Sequence, residues 1–229
     1  MSDSDSQSRW GVLGALVAGV VFGAGVVSGI IFGADVVSGI IWLHRRFKNK
    51  KIAFFGMKGA GKTTCLDGLQ ALDAKQTDWV AGNPETTFSK KTDVVISVFG
   101  GSWSITDTEG TQELKRWDAI VGDADLVCYF YDLTQLGEKI TNLEGEKHFY
   151  YKLAAADLRD LSNICEGKKQ KLLIFATHAD CEYDKVQAEK YQAEILKECT
   201  SLPNEYIKCS FKDYASIDEF AKKFKEATK

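Results

Sequence analysis

Residues Gly56 to Thr63 spell Gly-Met-Lys-Gly-Ala-Gly-Lys-Thr, a G-x-x-x-x-G-K-T run placed directly after the apolar segment Lys51-Ile52-Ala53-Phe54-Phe55. The chemistry open to such a run is capture of a polyphosphate. A backbone that wraps phosphates must aim several N–H groups at one centre, in conformations that side chains obstruct, and Gly56, Gly59 and Gly61 permit this. Lys62 is placed to set positive charge against the outer phosphates, both in binding and as charge develops in hydrolysis. The Thr63 hydroxyl is placed to hold Mg2+. Met57, Lys58, Ala60 and Thr64 are the remaining members of the cradle, and a helix opening at Lys62 directs its positive end at the anion.

Two further stretches belong to the same chemistry. Asp107-Thr108-Glu109-Gly110 closes a strand-like segment. A carboxylate there can reach the Mg2+ shell through water, and Gly110 can offer its N–H to a terminal phosphate. Between the two lies Ala81-Gly82-Asn83-Pro84-Glu85-Thr86-Thr87-Phe88, a polar loop in which Thr86 and Thr87 are both placed to close over the metal; the sequence does not choose between them.

A later apolar strand, Lys171 to Ala176, runs into Thr177-His178-Ala179-Asp180, and Cys209-Ser210-Phe211-Lys212 follows another. In their order, these motifs resemble the Ras-like small GTPase fold over roughly residues 50 to 229. The resemblance implies GTP and GDP as ligands with Mg2+. It also implies Asp180 as the carboxylate that accepts two hydrogen bonds from guanine, and Ser210, Phe211 and Lys212 as a loop whose backbone reads the base carbonyl. The family's usual N-K-x-D is here Thr177-His178-Ala179-Asp180. Thr-His at these positions resembles the chloroplast import receptor and septin-like branches, and the His178 ring stands where a lysine stem would pack over the base.

The same resemblance frames hydrolysis. The water-orienting residue of the family usually follows D-x-x-G directly; that place is Thr111 here, with Gln112 one later. Lys62, Thr111 and Gln112 are the catalytic candidates, with no residue read as a general base. Turnover is expected to be slow, because a positioned glutamine or an arginine supplied in trans contributes about 10³ to 10⁵ in rate. Arg116 is a candidate internal cation, although an exposed helix face is the commoner reason for an arginine.

These residues need a scaffold. Strands are expected at 51–55, 92–99, 102–106, 125–131, 171–176 and 205–209, and helices at 62–72, 112–120, 145–165, 185–199 and 214–227. Phe99-Gly100-Gly101-Ser102 reads as a hairpin turn between the second and third strands. Elsewhere strand and helix alternate, which implies an α/β fold: a six-stranded, mainly parallel sheet with helices on both faces. Ligand then binds at the carboxyl ends of the strands. Residues 132 to 150 read as a longer connection and helix start.

The amino-terminal quarter is of another kind. Residues 1–9 form a polar tail, and from Trp10 to Leu43 the only formal charge is Asp35. An apolar stretch well beyond ~20 residues is long enough for a transmembrane helix. The acidic tail before it is unlike a signal peptide. The cationic cluster follows it, within the juxtamembrane linker 44–51, so the positive-inside tendency puts residues 52–229, the G domain, on the cytoplasmic side of a single-pass membrane protein. Val-Val-Ser-Gly-Ile-Ile recurs at 26–31 and 36–41, and Gly25, Gly29 and Gly33 fall four apart. Such spacing suits helix self-association in lipid, the alternative being a span that faces lipid alone. A re-entrant hairpin is a further reading of the same length. In layout, an amino-terminal anchor joined to a small GTPase domain is similar to the signal recognition particle receptor beta subunit.

Of 29 Lys and Arg and 32 Asp and Glu, six and three lie in the first 51 residues, so the remainder carries a net charge near −6. That balance argues against nucleic acid as a partner. The six cysteines form no C-x-x-C pair and read as reduced thiols. The leading function is therefore a membrane-anchored GTPase switch whose loops recruit a cytosolic protein effector in the GTP form. An ATP-using P-loop enzyme with Asp107 as its Walker-B-like carboxylate, and a nucleotide-binding membrane-assembly protein with little turnover, are the alternatives.

Overall fold

The computed structural model describes residues 50–83, 93–99, 102–108, 114–141, 145–199 and 205–228, all within the compact unit Asn49–Lys229. The apolar segment 10–43 lies outside the described residues; among those described, no helix is long and apolar enough to cross a membrane.

Among the described residues, eight strands and five α-helices follow one another. They are β1 (Lys50–Gly56), α1 (Lys62–Asp73), β2 (Asp93–Ile96), β3 (Trp103–Asp107), α2 (Leu114–Asp123), β4 (Leu126–Asp132), β5 (Lys139–Thr141), β6 (Lys147–Phe149), α3 (Tyr150–Lys168), β7 (Lys171–Thr177), α4 (Lys185–Lys197), β8 (Glu205–Lys208) and α5 (Tyr214–Ala227). Six strands form one sheet in the order β2-β3-β1-β4-β7-β8. Only β2 runs antiparallel to its neighbour. The chain first builds β3 and β2 on one side of β1, then crosses to add β4, β7 and β8 on the other. In open α/β sheets the crevice at such a reversal, outside the carboxyl ends of the strands, is where ligands bind.

Adjacent residues of β1 show how both faces are covered. Phe54 packs its ring 4.8 Å from Phe130, which continues through Phe175 (5.0 Å) to Phe220 of α5 (5.1 Å). Phe55 meets Trp117 of α2 at 5.4 Å, and its register partner Tyr129 places its hydroxyl 3.3 Å from the Ala154 carbonyl of α3. Successive strand residues point to opposite faces, so α5 covers one side and α2 and α3 the other. β1, β4 and β7 therefore read as near-continuous apolar runs, as strands buried on both faces do. On the α5 side Gly68 of α1 is the point of close approach: a Cβ there would lie 2.4 Å from Ile217.

The expected elements are present, with shifted ends. The second strand ends at Ile96 rather than 99, and the second helix runs on to Asp123 rather than 120. Gly100 and Gly101 of the expected hairpin turn lie outside the described residues, but β2 and β3 pair antiparallel, from Asp93↔Thr106 to Ile96↔Trp103. The larger correction concerns 132–150. The connection holds a 3-10 turn at Leu133–Gln135 and a two-stranded hairpin of β5 and β6, and the helix begins at Tyr150 rather than 145. Residues 145 to 149 are Gly-Glu-Lys-His-Phe, with no helical apolar period of their own. The chain instead pairs Lys147–Phe149 with Lys139–Thr141, and the Tyr150 N–H bonds the Glu138 carbonyl at 2.8 Å.

Candidate functional site

Every described motif residue lies at the carboxyl edge of the large sheet. Gly56 ends β1, Asp107 ends β3, Asp132 ends β4 and Thr177 ends β7, while Cys209 to Lys212 follow β8. That placement follows from parallel strands: each crossover returns the chain to the same end.

Between β1 and α1, Met57 to Gly61 form a tight loop. The Met57 N–H bonds the Phe130 carbonyl (3.2 Å), and the Ala60 N–H bonds the Met57 carbonyl (3.2 Å). Gly56 (φ 130°), Gly59 (φ 79°) and Gly61 (φ 80°) adopt backbone conformations that side chains disfavour. Gly61 is the N-cap of α1 and no side chain caps that end, so the first N–H groups of the helix face the loop uncapped by the protein's side chains. Lys62 is 7% exposed, and its ammonium donates to the Gly56 carbonyl (2.8 Å) and the Met57 carbonyl (2.9 Å). Burial pulls its pKa below the ordinary lysine value, partly opposed by the charges of Asp107 and Asp157. An ammonium held by carbonyls in a loop of left-handed glycines is an arrangement for an anion with several oxygens.

Thr63 donates its hydroxyl to Asp107 Oδ2 at 2.6 Å. Burial pushes the Asp107 carboxyl above its usual range, against the pull of Thr63 and Lys62. Its other oxygen, Oδ1, is buried without a hydrogen-bond partner. An orphaned carboxylate oxygen beside a hydroxyl fits a hard cation that prefers oxygen ligands, so Thr63 and Asp107 suit Mg2+. Thr108 turns inward, donating to the Phe54 carbonyl at 2.6 Å, which ties the end of β3 to β1. Thr86, Thr87, Gly110, Thr111 and Gln112 lie outside the described residues.

On the other flank, Phe211 and Thr177 pack beside the glycine loop at Gly61. A Cβ on Gly61 would lie 3.3 Å from the Phe211 ring and 3.9 Å from the Thr177 methyl. The Thr177 hydroxyl donates to the Tyr131 carbonyl at 3.1 Å. Asp180 is exposed, and the neighbouring Ser210 hydroxyl, with Lys212 and His178 further off, holds its carboxyl below the usual range. The Ala179 N–H bonds the Cys209 carbonyl at 3.1 Å, joining the Thr177–Asp180 loop to the Ser210–Lys212 loop. An ionised carboxylate at an open edge can accept two parallel donors from one planar ring.

Three residues here escaped the sequence reading. Asp132, only 3% exposed, accepts from Thr134 and, through Oδ2, from Gln135 Nε2 at 2.9 Å. Gln135 in turn lies over the phosphate loop, 3.7 Å from where a Cβ on Gly59 would sit. The signal that could have found Asp132 was its place directly after an expected strand of a parallel sheet. Asp157 of α3 had no such signal: burial pushes its carboxyl up to about 7, although the Tyr129 hydroxyl and the Lys62 charge favour its ionised form.

No protein-family model and no curated protein matches the chain. Among solved structures it is similar to the signal recognition particle receptor SRb-GTP/SRX complex from Chaetomium thermophilum, at 14% identity over 78% of this chain and 98% of that one, with a TM-score of 0.52. A mutation variant of SsGBP is similar at 13% identity over 82% of this chain and 57% of its own, with a TM-score of 0.46, too low to support an argument. The first likeness is one of fold: the chain has the Ras-like P-loop GTPase fold.

Proposed function

We propose that this protein is a membrane-anchored guanine nucleotide switch that hydrolyses GTP slowly and engages a cytosolic partner in its GTP form. The observation that carries the reading is convergence at one sheet edge. A phosphate cradle with Lys62, an oxygen pair for a cation in Thr63 and Asp107, and an ionised, exposed Asp180 lie in sequence along β1, β3 and β7. The similar SRb-GTP/SRX complex supports the nucleotide and a protein partner by analogy of fold.

Each described residue has a part in this reading. Lys62 and the uncapped start of α1 neutralise the phosphates, and Thr63 and Asp107 hold Mg2+, which when bound offsets charge on the phosphate oxygens. Asp180 selects guanine by accepting from its two adjacent donors, and Ser210, Phe211 and Lys212 place backbone N–H groups at the base. Attack of water in line on the outer phosphate then needs no general base, and Thr111 and Gln112 are the residues proposed to orient the water. The loops at 81–88 and 107–116 are the proposed switch segments. Segment 10–43 is the proposed anchor, with residues 52–229 on the cytoplasmic side and the glycine repeat available for self-association.

Titration calorimetry on the full-length chain in detergent, with GTP, GDP and ATP in the presence of Mg2+, tests the reading. Strong preference for both guanine nucleotides, lost in Asp180→Asn, is expected. Preference for ATP, or no binding at all, overturns it.

A further inference from the structure

Residue 178 combines an uncommon backbone with a fixed ring. His178 has φ 58°, the left-handed region that costs an L-residue with a Cβ roughly 1 kcal/mol. Glycine or asparagine would sit there at lower cost.

What holds the ring is specific. His178 Nδ1 lies 3.2 Å from Asp132 Oδ1 and 3.1 Å from Thr177 Oγ1. The Thr177 hydroxyl already donates to the Tyr131 carbonyl, and the Asp132 carboxylate can only accept, so both partners of Nδ1 are acceptors. Nδ1 therefore carries a proton in either charge state, and protonation of the ring falls on Nε2. The His178 side chain is 39% exposed while that of Asp132 is 5% exposed: the carboxylate is spent inside the fold and the ring is presented at its surface.

We infer that Asp132 is a positioning residue that fixes His178 as an imidazolium on the base-reading loop, so that the ring face of His178 stacks as a cation on guanine. This use of the pair rests on the guanine nucleotide reading above. Asp132 also holds Gln135 beside Gly59. A single buried carboxylate thereby touches both His178 of the base loop and Gln135 beside the Gly59 loop.

The charged groups that face the ring agree with this. Asp132 from β4 and Asp180 from its own loop raise the His178 pKa above the ordinary 6.5, the Asp132 hydrogen bond most, against desolvation. Burial alone would push the Asp132 carboxyl up, but hydrogen bonds from His178 and Thr134 hold it below the usual range. Lys212 from the β8 loop acts on Asp180 and on the nearby Cys181 thiol. The sign follows: the cation is present below the raised pKa and is lost as pH rises through it. Base affinity falls in the same window, by roughly two- to fivefold for a partly exposed cation on an aromatic face.

The test uses the full-length chain in detergent micelles. The chain has only three histidines, so the His178 Cε1–H signal is assigned in NMR spectra by its loss in His178→Gln. In the nucleotide-free protein its titration midpoint is expected above 6.5 and is expected to drop to 6.5 or lower in Asp132→Asn. GDP affinity in Mg2+, measured from pH 6 to 8.5, is expected to fall with the same midpoint. In His178→Lys, which stays cationic throughout, the fall should shrink to what the nucleotide's own phosphates contribute. That comparison retains its force if Asp132→Asn does not fold. A His178 midpoint at or below 6.5 in the wild type overturns the inference, as does a pH profile that His178→Lys leaves unchanged. Absence of GDP binding at every pH overturns the guanine reading of the site and this use of the pair with it, while the NMR titration separately reports whether Asp132 holds the ring.

Discussion

The Thr63 hydroxyl and Asp107 Oδ2 are 2.6 Å apart although 44 residues separate them in the chain. One opens α1 and the other ends β3, and the parallel pairing of β1 with β3, with Phe54 opposite Asp107, brings them together. Asp107 is left with a buried, unpaired Oδ1, and removing the Thr63 hydroxyl would deprive the other oxygen of its donor. In Thr63→Ala the gain in GDP affinity from Mg2+ over EDTA should shrink by roughly tenfold or more, the worth of one hydrogen bond to a charged group. Because burial raises the Asp107 pKa, the Mg2+ effect should fade on acidification at a higher pH than an ordinary carboxylate would give. An unchanged ratio in Thr63→Ala would remove the pair from metal binding.

Lys62 is buried with both its described acceptors in the loop it serves. Lys62→Ala deletes that charge and its donor to the Gly56 carbonyl, while the Met57 carbonyl keeps the Ala60 N–H. GTP and GDP affinities are expected to fall by roughly a hundredfold, in line with about 3 kcal/mol for a charge-assisted contact. Circular dichroism should show the fold retained, since the lysine packs against loop carbonyls rather than the sheet core.

Gly56 and Gly167 should respond in opposite directions to the same substitution. A Cβ on Gly56 would stand 2.0 Å from the Phe130 carbonyl oxygen, at φ 130°, inside the β1–β4 pairing. Neither backbone can yield, so Gly56→Ala should cost more than about 3 kcal/mol in urea unfolding, or prevent folding outright. Around Gly167, in α3, no atom lies within 4 Å of the added carbon. Gly167→Ala should stabilise the domain by roughly 0.5–1 kcal/mol through helix propensity.

Asp157 provides a pH-dependent stability test. Its carboxyl is pushed up to about 7 in the fold by burial, against an ordinary value near 3.9 in the unfolded chain. The folded state therefore binds a proton more tightly. Stability from this group is full below about 4 and is lost as pH rises through about 7. Asp157→Asn removes that penalty, so the variant should gain on the wild type by roughly 3 kcal/mol between pH 4.5 and 8, read from urea midpoints at both pH values. A difference that does not change with pH would show that the carboxyl is ionised normally in the fold.

The sequence alone determined the glycine loop 56–61 between β1 and α1, the place of Asp107 and Asp180 at strand ends, and the alternation of strand and helix. Each of these is written in local terms: glycines that a tight backbone requires, apolar runs of strand length, and a carboxylate directly after a strand. Its errors were local as well, as in 145–149, expected to open α3, where Lys147–Phe149 pair as β6 instead. Only the tertiary structure decided which strand ends meet. That Asp132 binds His178 depends on β4 lying beside β7, and that Thr63 binds Asp107 depends on β3 lying beside β1. Strand order is settled by burial of both sheet faces over the whole domain, through pairings such as Phe130 with Phe175 and Phe55 with Trp117. No window of neighbouring residues contains that information, so the meeting of a ring at 178 with a carboxylate at 132 belongs to the tertiary structure alone.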